Sequence, residues 1–202
     1  MTSPHFELLL ARTEADVRAG QRLRYDVFIE ELGGTGPLVD HENRLEIDAF
    51  DPYFDHLILY DRALPGDQAV GVYRVMRDDQ MAAVGRYYSD EEYDLDVLKA
   101  SGRRLLELGR SCVHRDYRGG QALKRLWSGL LGYVEDHGID IMFGVASFHG
   151  TNPEALKAPL SLLHHCHLAP ENLRVRARPA HYQPMDLLPA EAVDEVAALR
   201  EL

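Results

Sequence analysis

Residues 105–120 read LLELGRSCVHRDYRGG and bring two carboxylates, three guanidiniums and three glycines close together in the chain. Glu107 and Arg110 lie in an apolar run that reads as a buried strand. Arg115 and Arg118 follow in a loop, and Gly119 and Gly120 close it where a helix begins at Gln121. A strand feeding a glycine-bearing turn at a helix N-terminus is an anion cradle, because free N–H groups and the helix dipole both favour phosphate. A carboxylate a short way upstream is a candidate general base. These residue types point to transfer of a group carried on a phosphate-bearing donor. Glu107 and Arg110 are then the catalytic candidates, and Arg115, Arg118, Gly119 and Gly120 the donor-binding ones. A structural reading competes: buried glutamates are uncommon unless paired, and a Glu107–Arg110 ion pair inside a sheet would satisfy both.

The elements that must position these groups can be read outward from that stretch. Glu107 and Arg110 are an odd number of residues apart, so a regular strand points them to opposite faces. A bulge would bring both to one cleft, and Gly109 is the expected place. Leu123, Leu126, Trp127, Leu130 and Val134 repeat at helical spacing, which predicts an amphipathic helix ended by Gly138. The apolar run 139–147 predicts a buried strand parallel to the central one. His149 stands just past it, where ligands sit in α/β folds, although a hydrogen-bonded loop histidine fits as well.

Upstream, 5–11 predicts a first strand. Thr13 with Asp16 forms a capping box before a helix whose apolar positions include Tyr25, Phe28, Ile29 and Leu32 and which Gly33-Gly34 ends. Arg24 lies one turn before Phe28 and can face the same cleft. Residues 35–47 read as a polar, mobile loop of lid length. Runs 56–62 and 69–77 predict a hairpin about Pro65-Gly66-Asp67, with Val70, Val72, Arg74 and Met76 on one face. Downstream, Ser89 to Glu92 reads as a capping box opening a short helix toward Leu98 and Ala100. Another helix is expected over 153–167, a basic edge strand through Arg174, Arg176 and Arg178, and a helix over 194–202.

Composition sets bounds. The 202 residues, 46% apolar and 27% charged, suffice for one α/β domain with a real core. The formal charge of −11 argues against nucleic-acid binding. Charge is nonetheless segregated. Residues 103–125 carry seven bases against two acids, and 40–55 six acids against one base. That suits an anionic donor and a cationic acceptor. The N-terminus lacks a secretory pattern and no run reaches membrane-spanning length. Cys112 and Cys166 are too few for a disulfide or zinc framework, and His164, His165 and His167 match no zinc spacing, so no metal is expected. A reducing cytoplasm is the simplest home. As a nucleophile Cys112 is set aside, since it sits mid-strand among apolar residues and reads as a core filler.

LELGRSCVHRDYRGG and the ALKRLWSGL after it, together with RYDVFIEELG, EIDAFDPYFDHL, VGVYRVM, GRYYSDEEYDL and VASFHGTNP, resemble the GCN5-related N-acyltransferase (GNAT) superfamily over nearly the whole chain. The branch they are most similar to is the bacterial L-ornithine Nα-acyltransferases of ornithine-lipid biosynthesis, the haemolysin-like acyltransferases. A subset of these pieces is shared with the acyl-homoserine lactone synthases. The resemblance implies a mixed, mostly antiparallel α/β (α+β) sheet flanked by helices and splayed between its fourth and fifth strands. The splay frees a backbone N–H for the acyl carbonyl and admits the pantetheine arm along Cys112 and Val113. It also implies a charged cluster near the acceptor, so that Arg24, Phe28, Asp48, Asp51, Arg74 and His149 become acceptor-binding candidates.

The implied reaction moves a 3-hydroxyacyl chain from acyl carrier protein to the α-amine of ornithine, with no tightly bound cofactor and with peripheral contact at the inner membrane face. Alternatives are lactone-type autoinducer synthesis and a silent acyl- or carrier-binding module. Acetyl-CoA-dependent members show a loop richer in glycine than Arg118-Gly119-Gly120-Gln121-Ala122-Leu123. A pyrophosphate needs close backbone approach, so the weaker pattern favours carrier-bound phosphopantetheine, with acyl-CoA the other source. The expectation is one acyltransferase domain over 1–202 that lacks a C-terminal extension usual in the family.

Overall fold

The computed structural model describes residues 3–63, 65–66, 68–148 and 150–200. Its strands are β1 (Phe6–Leu10), β2 (Asp55–Asp61), β3 (Ala69–Arg77), β4 (Tyr93–Asp94), β5 (Leu105–Val113), β6 (Ile141–Gly144) and β7 (Arg176–Ala177). Its helices are α1 (Glu14–Arg24), α2 (Asp78–Val84), α3 (Asp96–Lys99), α4 (Gln121–His137), α5 (Lys157–Cys166) and α6 (Glu195–Leu199). Among the described residues no helix is long and apolar enough to cross a membrane. Where the sequence suggests one domain, the chain packs as two units, Met1–Tyr88 with Arg104–Gly144, and Ser89–Arg103 with Val145–Leu202.

The first unit holds a five-stranded sheet in the order β1-β2-β3-β5-β6, antiparallel except for the final β5–β6 pair. Strand alternation divides its side chains between two helices. Ile58, Tyr60, Val72 and Cys112 pack under Ala19, Leu23 and Val27 of the N-terminal helix. Leu57, Leu59, Val75 and Leu106 pack under Leu126, Leu130 and Tyr133 of α4. Val70 departs from the expected row. The β2–β3 register skips it, so it turns to the α4 side while Val72 and Arg74 keep to the other.

The parallel ladder runs only from Leu105–Ile141 to Leu108–Gly144. β5 continues five residues further, paired with β3 alone among the named strands. The predicted strand 139–147 is therefore short, and it is half-exposed rather than buried because, among the described residues, no further strand pairs with its outer edge. Gly144 is required where the ladder ends: a Cβ there would collide with the Leu108 carbonyl oxygen.

Two local features shape the sheet's α1 side. The capping box at Thr13 and Asp16 starts α1, which runs on into π-helical turns over Tyr25–Glu31 rather than continuing as α-helix. Gly33, at φ +70°, then stops it. The segment read as a mobile lid is pinned instead. Asp40 and Leu45 exchange two backbone hydrogen bonds of 2.9 Å, and Glu46 N–H donates to the Gln21 carbonyl at 3.1 Å.

In the second unit β4 and β7 pair antiparallel, Tyr93 with Ala177 and Asp94 with Arg176. The basic edge strand is thus two residues long and has a partner. The capping box expected at Ser89 is a 3₁₀ turn, Tyr88–Glu91, followed by β4, because the chain there extends to meet β7 before α3 begins. Helix α5 starts at Lys157, not 153. Ser161 Oγ on α5 accepts from Leu188 N–H at 2.9 Å and donates to the Met185 carbonyl at 3.2 Å, tying the following extended segment down.

Candidate active site

Three arginines point into the sheet's α1 side from three elements: Arg24 from the end of α1, Arg74 from β3 and Arg110 from β5. A buried guanidinium is tolerated only when its charge and N–H groups are matched. The match comes from one short segment, 46–51. Arg24 Nε meets Glu46 at 2.5 Å, and its two terminal nitrogens meet Asp51 at 2.7 and 2.8 Å. Arg74 Nη1 meets Asp51 at 2.7 Å and Asp48 at 2.6 Å. Arg110 reaches Asp48 and Glu46, each at 3.2 Å. The six residues therefore close into a ring of alternating sign, Arg24–Glu46–Arg110–Asp48–Arg74–Asp51, with zero net formal charge.

The ring is not uniform. Arg24 and Arg74 are 0% and 1% exposed. Arg110 keeps a quarter of its side chain open, 25%, and Asp48 16%. The two buried arginines hold their acids at 2.5–2.8 Å, whereas both Arg110 contacts are at 3.2 Å. Electrostatics follow. Burial alone would raise the Asp51 carboxyl, but the hydrogen bonds and charge of Arg24, then the charge of Arg74, hold it far below the usual range. Asp48 is lowered on the same balance, burial opposed mainly by Arg74. Arg110 is raised because the charge of Glu46 and the Tyr88 hydroxyl outweigh its burial.

Arg110 reaches the ring because β5 bulges. Arg74 pairs with Gly109 and Val72 with Cys112, so Arg110 and Ser111 together oppose Tyr73. Arg110 itself has φ +49°. The expected bulge is present, but the left-handed residue is Arg110, not Gly109. Side-chain anchorage by Glu46, Asp48 and Tyr88 offsets the cost of that conformation.

Glu107, 1% exposed, accepts the Tyr88 N–H at 2.8 Å. The Tyr88 ring lies 5.1 Å from the Arg110 guanidinium and its hydroxyl accepts from Arg110 at 3.5 Å. One residue thus links the two catalytic candidates, which the bulge has brought to the same side.

The donor loop leaves β5 through a 3₁₀ turn, Arg115–Tyr117. Tyr117 fixes it by donating its hydroxyl to Asp61 at 2.9 Å. Gly120, at φ +95°, is the N-cap of α4 and supplies no side-chain cap to the first-turn N–H groups. Arg118 Nε donates to the Val113 carbonyl at 3.1 Å, and its fork clasps Glu31 at 2.6 and 2.8 Å. Arg115 lies 3.9 Å from the same carboxylate.

Other candidates change character. Cys112 packs among Ala19, Leu23 and Val72, and burial pushes its thiol up to about 12, so only its backbone is left to border a donor arm. Val113 packs against the α4-side core. Phe28 packs half-buried on the Cys112 cluster. Arg24, Arg74 and Asp51 have almost no surface to offer an acceptor directly, and Asp51 also takes a hydrogen bond from Gln21 at 2.9 Å. His149 lies outside the described residues. The sequence reading omits Glu46, Gln21, Tyr88 and Glu31. Charge counting could have found Glu46, since three arginines in apolar elements require three acids and only Asp48 and Asp51 are named.

A bulged central strand, a helix opening on a glycine-bearing basic loop and a parallel final strand pair define an acyltransferase fold. The chain matches the acetyltransferase (GNAT) domain family over residues 23–128, and it belongs to the GNAT acyltransferases, in the family of the L-ornithine Nα-acyltransferases. The protein of that name from Rhodobacter capsulatus is 60% identical over 197 residues, 96% of this chain and 75% of that one. Its counterpart from Brucella abortus is 45% identical over 198 residues, 96% of this chain and 70% of that one. Among solved structures, the AHL synthase LasI superposes with a TM-score of 0.52 at 16% identity, over 72% of this chain and 74% of its own. FeeM, an N-acyl amino acid synthase from uncultured soil microbes, gives 0.50 at 15% identity, over 79% of each chain. At those identities the two share the fold.

Proposed function

We propose that this enzyme moves an acyl group from the phosphopantetheine thioester of an acyl carrier protein to the α-amine of L-ornithine. The observation that carries the reading is the use made of β5: it holds Glu107, closes the charge ring at its bulge, and ends in the anion-binding loop. The relatives named L-ornithine Nα-acyltransferase supply the acceptor and the acyl chemistry.

In this reading the loosely held edge of the ring receives the acceptor's α-amino acid group. Arg110 takes the α-carboxylate and Asp48 the α-ammonium, while Arg24, Arg74, Asp51 and Glu46 hold that edge in place. The donor's phosphodiester lies on Arg115, Arg118 and the amides at Gly119 and Gly120. Its arm runs along the part of β5 beyond the ladder, as far as Leu108, next to the buried Glu107. The ammonium loses a proton, by way of a water, to Glu107; the free amine attacks the thioester carbonyl, and the C–S bond breaks. A backbone N–H of the bulge, between Gly109 and Ser111, stabilises the oxyanion. The thiolate takes up the extra proton of the attacking nitrogen as it leaves, and the neutral amide is released.

Glu107→Gln tests the base. Transfer from acyl carrier protein to ornithine should fall by about 10²–10⁴ in kcat. Near-normal turnover by a folded variant removes Glu107 from the mechanism.

A further inference from the structure

The loop assigned to the donor's phosphate already holds an anion, and the anion comes from this chain. Glu31 ends the π-helical segment and accepts both fork nitrogens of Arg118, at 2.6 and 2.8 Å, with Arg115 close behind. We propose that Glu31 is a displaceable stand-in for the donor's phosphate, holding Arg118 and Arg115 aimed until a phosphodiester takes its place. The proposal rests on the reading that these arginines receive the donor.

Four observations support an exchangeable contact. A guanidinium fork receives a carboxylate and a phosphate with the same two parallel N–H donors. Arg118 is fixed separately through Nε to the Val113 carbonyl, so its fork stays in position whichever anion it holds. The pair is also open to water, Arg118 at 45% and Glu31 at 22% exposed, unlike the sealed arginines of the ring. Although the fork is bidentate, solvent and salt screen a pair this open and limit what it contributes. Last, a displaced carboxylate has somewhere to go. Glu31 borders a cavity of about 190 Å³ lined also by Asp26, Glu30, Arg44, His114 and Arg115. Arg44 there is already taken up by Asp26 and Glu30, so the cation left to a swung Glu31 is Arg115. The hydrogen bonds from Arg118 hold the Glu31 carboxyl below its usual range, which keeps it charged and competing near neutral pH. Glu31 ends a π-helical segment, a feature frequent at functional sites.

The test is a KM-against-kcat comparison with acyl carrier protein donor and ornithine. Removing the competing charge in Glu31→Gln should lower the donor KM about two- to fivefold, the range of an exposed ion pair. kcat at saturating donor should stay unchanged, and inhibition by inorganic phosphate should tighten in parallel. Glu31→Ala should behave alike. An unchanged or raised donor KM in both variants overturns the proposal, since a merely structural pair predicts that. Arg118→Gln separates this failure from failure of the underlying reading. If its donor KM is unchanged, the loop is not the phosphate site at all. If it rises while Glu31→Gln does not lower KM, only the stand-in role fails.

Discussion

At the scale of the residue, the account turns on matched charge in a place that water does not reach. Arg24 pairs with both Glu46 and Asp51, and removing it leaves each buried carboxylate one cation short, with only Arg110 on Glu46 and Arg74 on Asp51. Arg24→Leu should therefore destabilise the fold by about 3–5 kcal/mol, measured by urea denaturation, whereas a loss under 1 kcal/mol would mean that the ring does not stabilise the fold. His56 makes the site sensitive to pH. Its Nε2 bonds the Asp51 carbonyl oxygen at 3.1 Å, its Nδ1 has no hydrogen-bond partner among the described residues, and burial, aided by the charges of Arg24 and Arg74, lowers its pKa. Below about pH 6.5 the unfolded chain takes up a proton at this histidine that the folded chain refuses, so stability falls as pH drops. The lowered Asp48 and Asp51 act in the same direction further down, their contribution being lost as pH falls below the ordinary carboxylate range. His56→Gln should abolish the first stage of this decline and leave the second, as thermal unfolding across about pH 2–7 will show.

At the scale of the element, the bulge of β5 and the π-segment after α1 do the positioning. Arg110 bears a left-handed backbone that a glycine would adopt freely. Arg110→Ala and Arg110→Gly both lose the guanidinium, so their difference reports the backbone alone. The glycine variant should be the more stable by about 1 kcal/mol; equal stability would deny the strain. These two elements also show where sequence reasoning runs out. Parity of 107 and 110 demanded a bulge, but the habit of placing bends at glycine pointed to Gly109. The deciding forces are the side-chain anchors of Arg110, which come from residues 46, 48 and 88 and leave no local mark. The apolar spacing of Tyr25, Phe28 and Ile29 cannot tell an α-turn from a π-turn, so the helix was legible and its widening was not. Glu46 was hidden in a segment without periodicity, read as a lid. Glu31 was hidden because its partner Arg118 lies 87 positions away.

At the scale of the molecule, the sheet, the α4 face and the short parallel pair follow from alternation and helical spacing, and the resemblance carried by LELGRSCVHRDYRGG identified the family that the comparisons bear out. The opposed charge blocks read from composition take on a different meaning in three dimensions. The acids of 46–51 are consumed by arginines from α1, β3 and β5, leaving Arg110 and Asp48 as a paired edge rather than a bare acidic lure. In the proposed reaction that edge receives a zwitterion, and β5 joins it to the loop proposed for the donor. The most direct test of the whole is mass spectrometry of the product formed by the purified enzyme from acyl carrier protein thioester and ornithine labelled at the α-nitrogen. The account predicts an amide on the labelled nitrogen, with free thiol released in equal amount. Acylation at the side-chain amine, a lactone made only when S-adenosylmethionine is supplied, or carrier binding without turnover on any amine would contradict it.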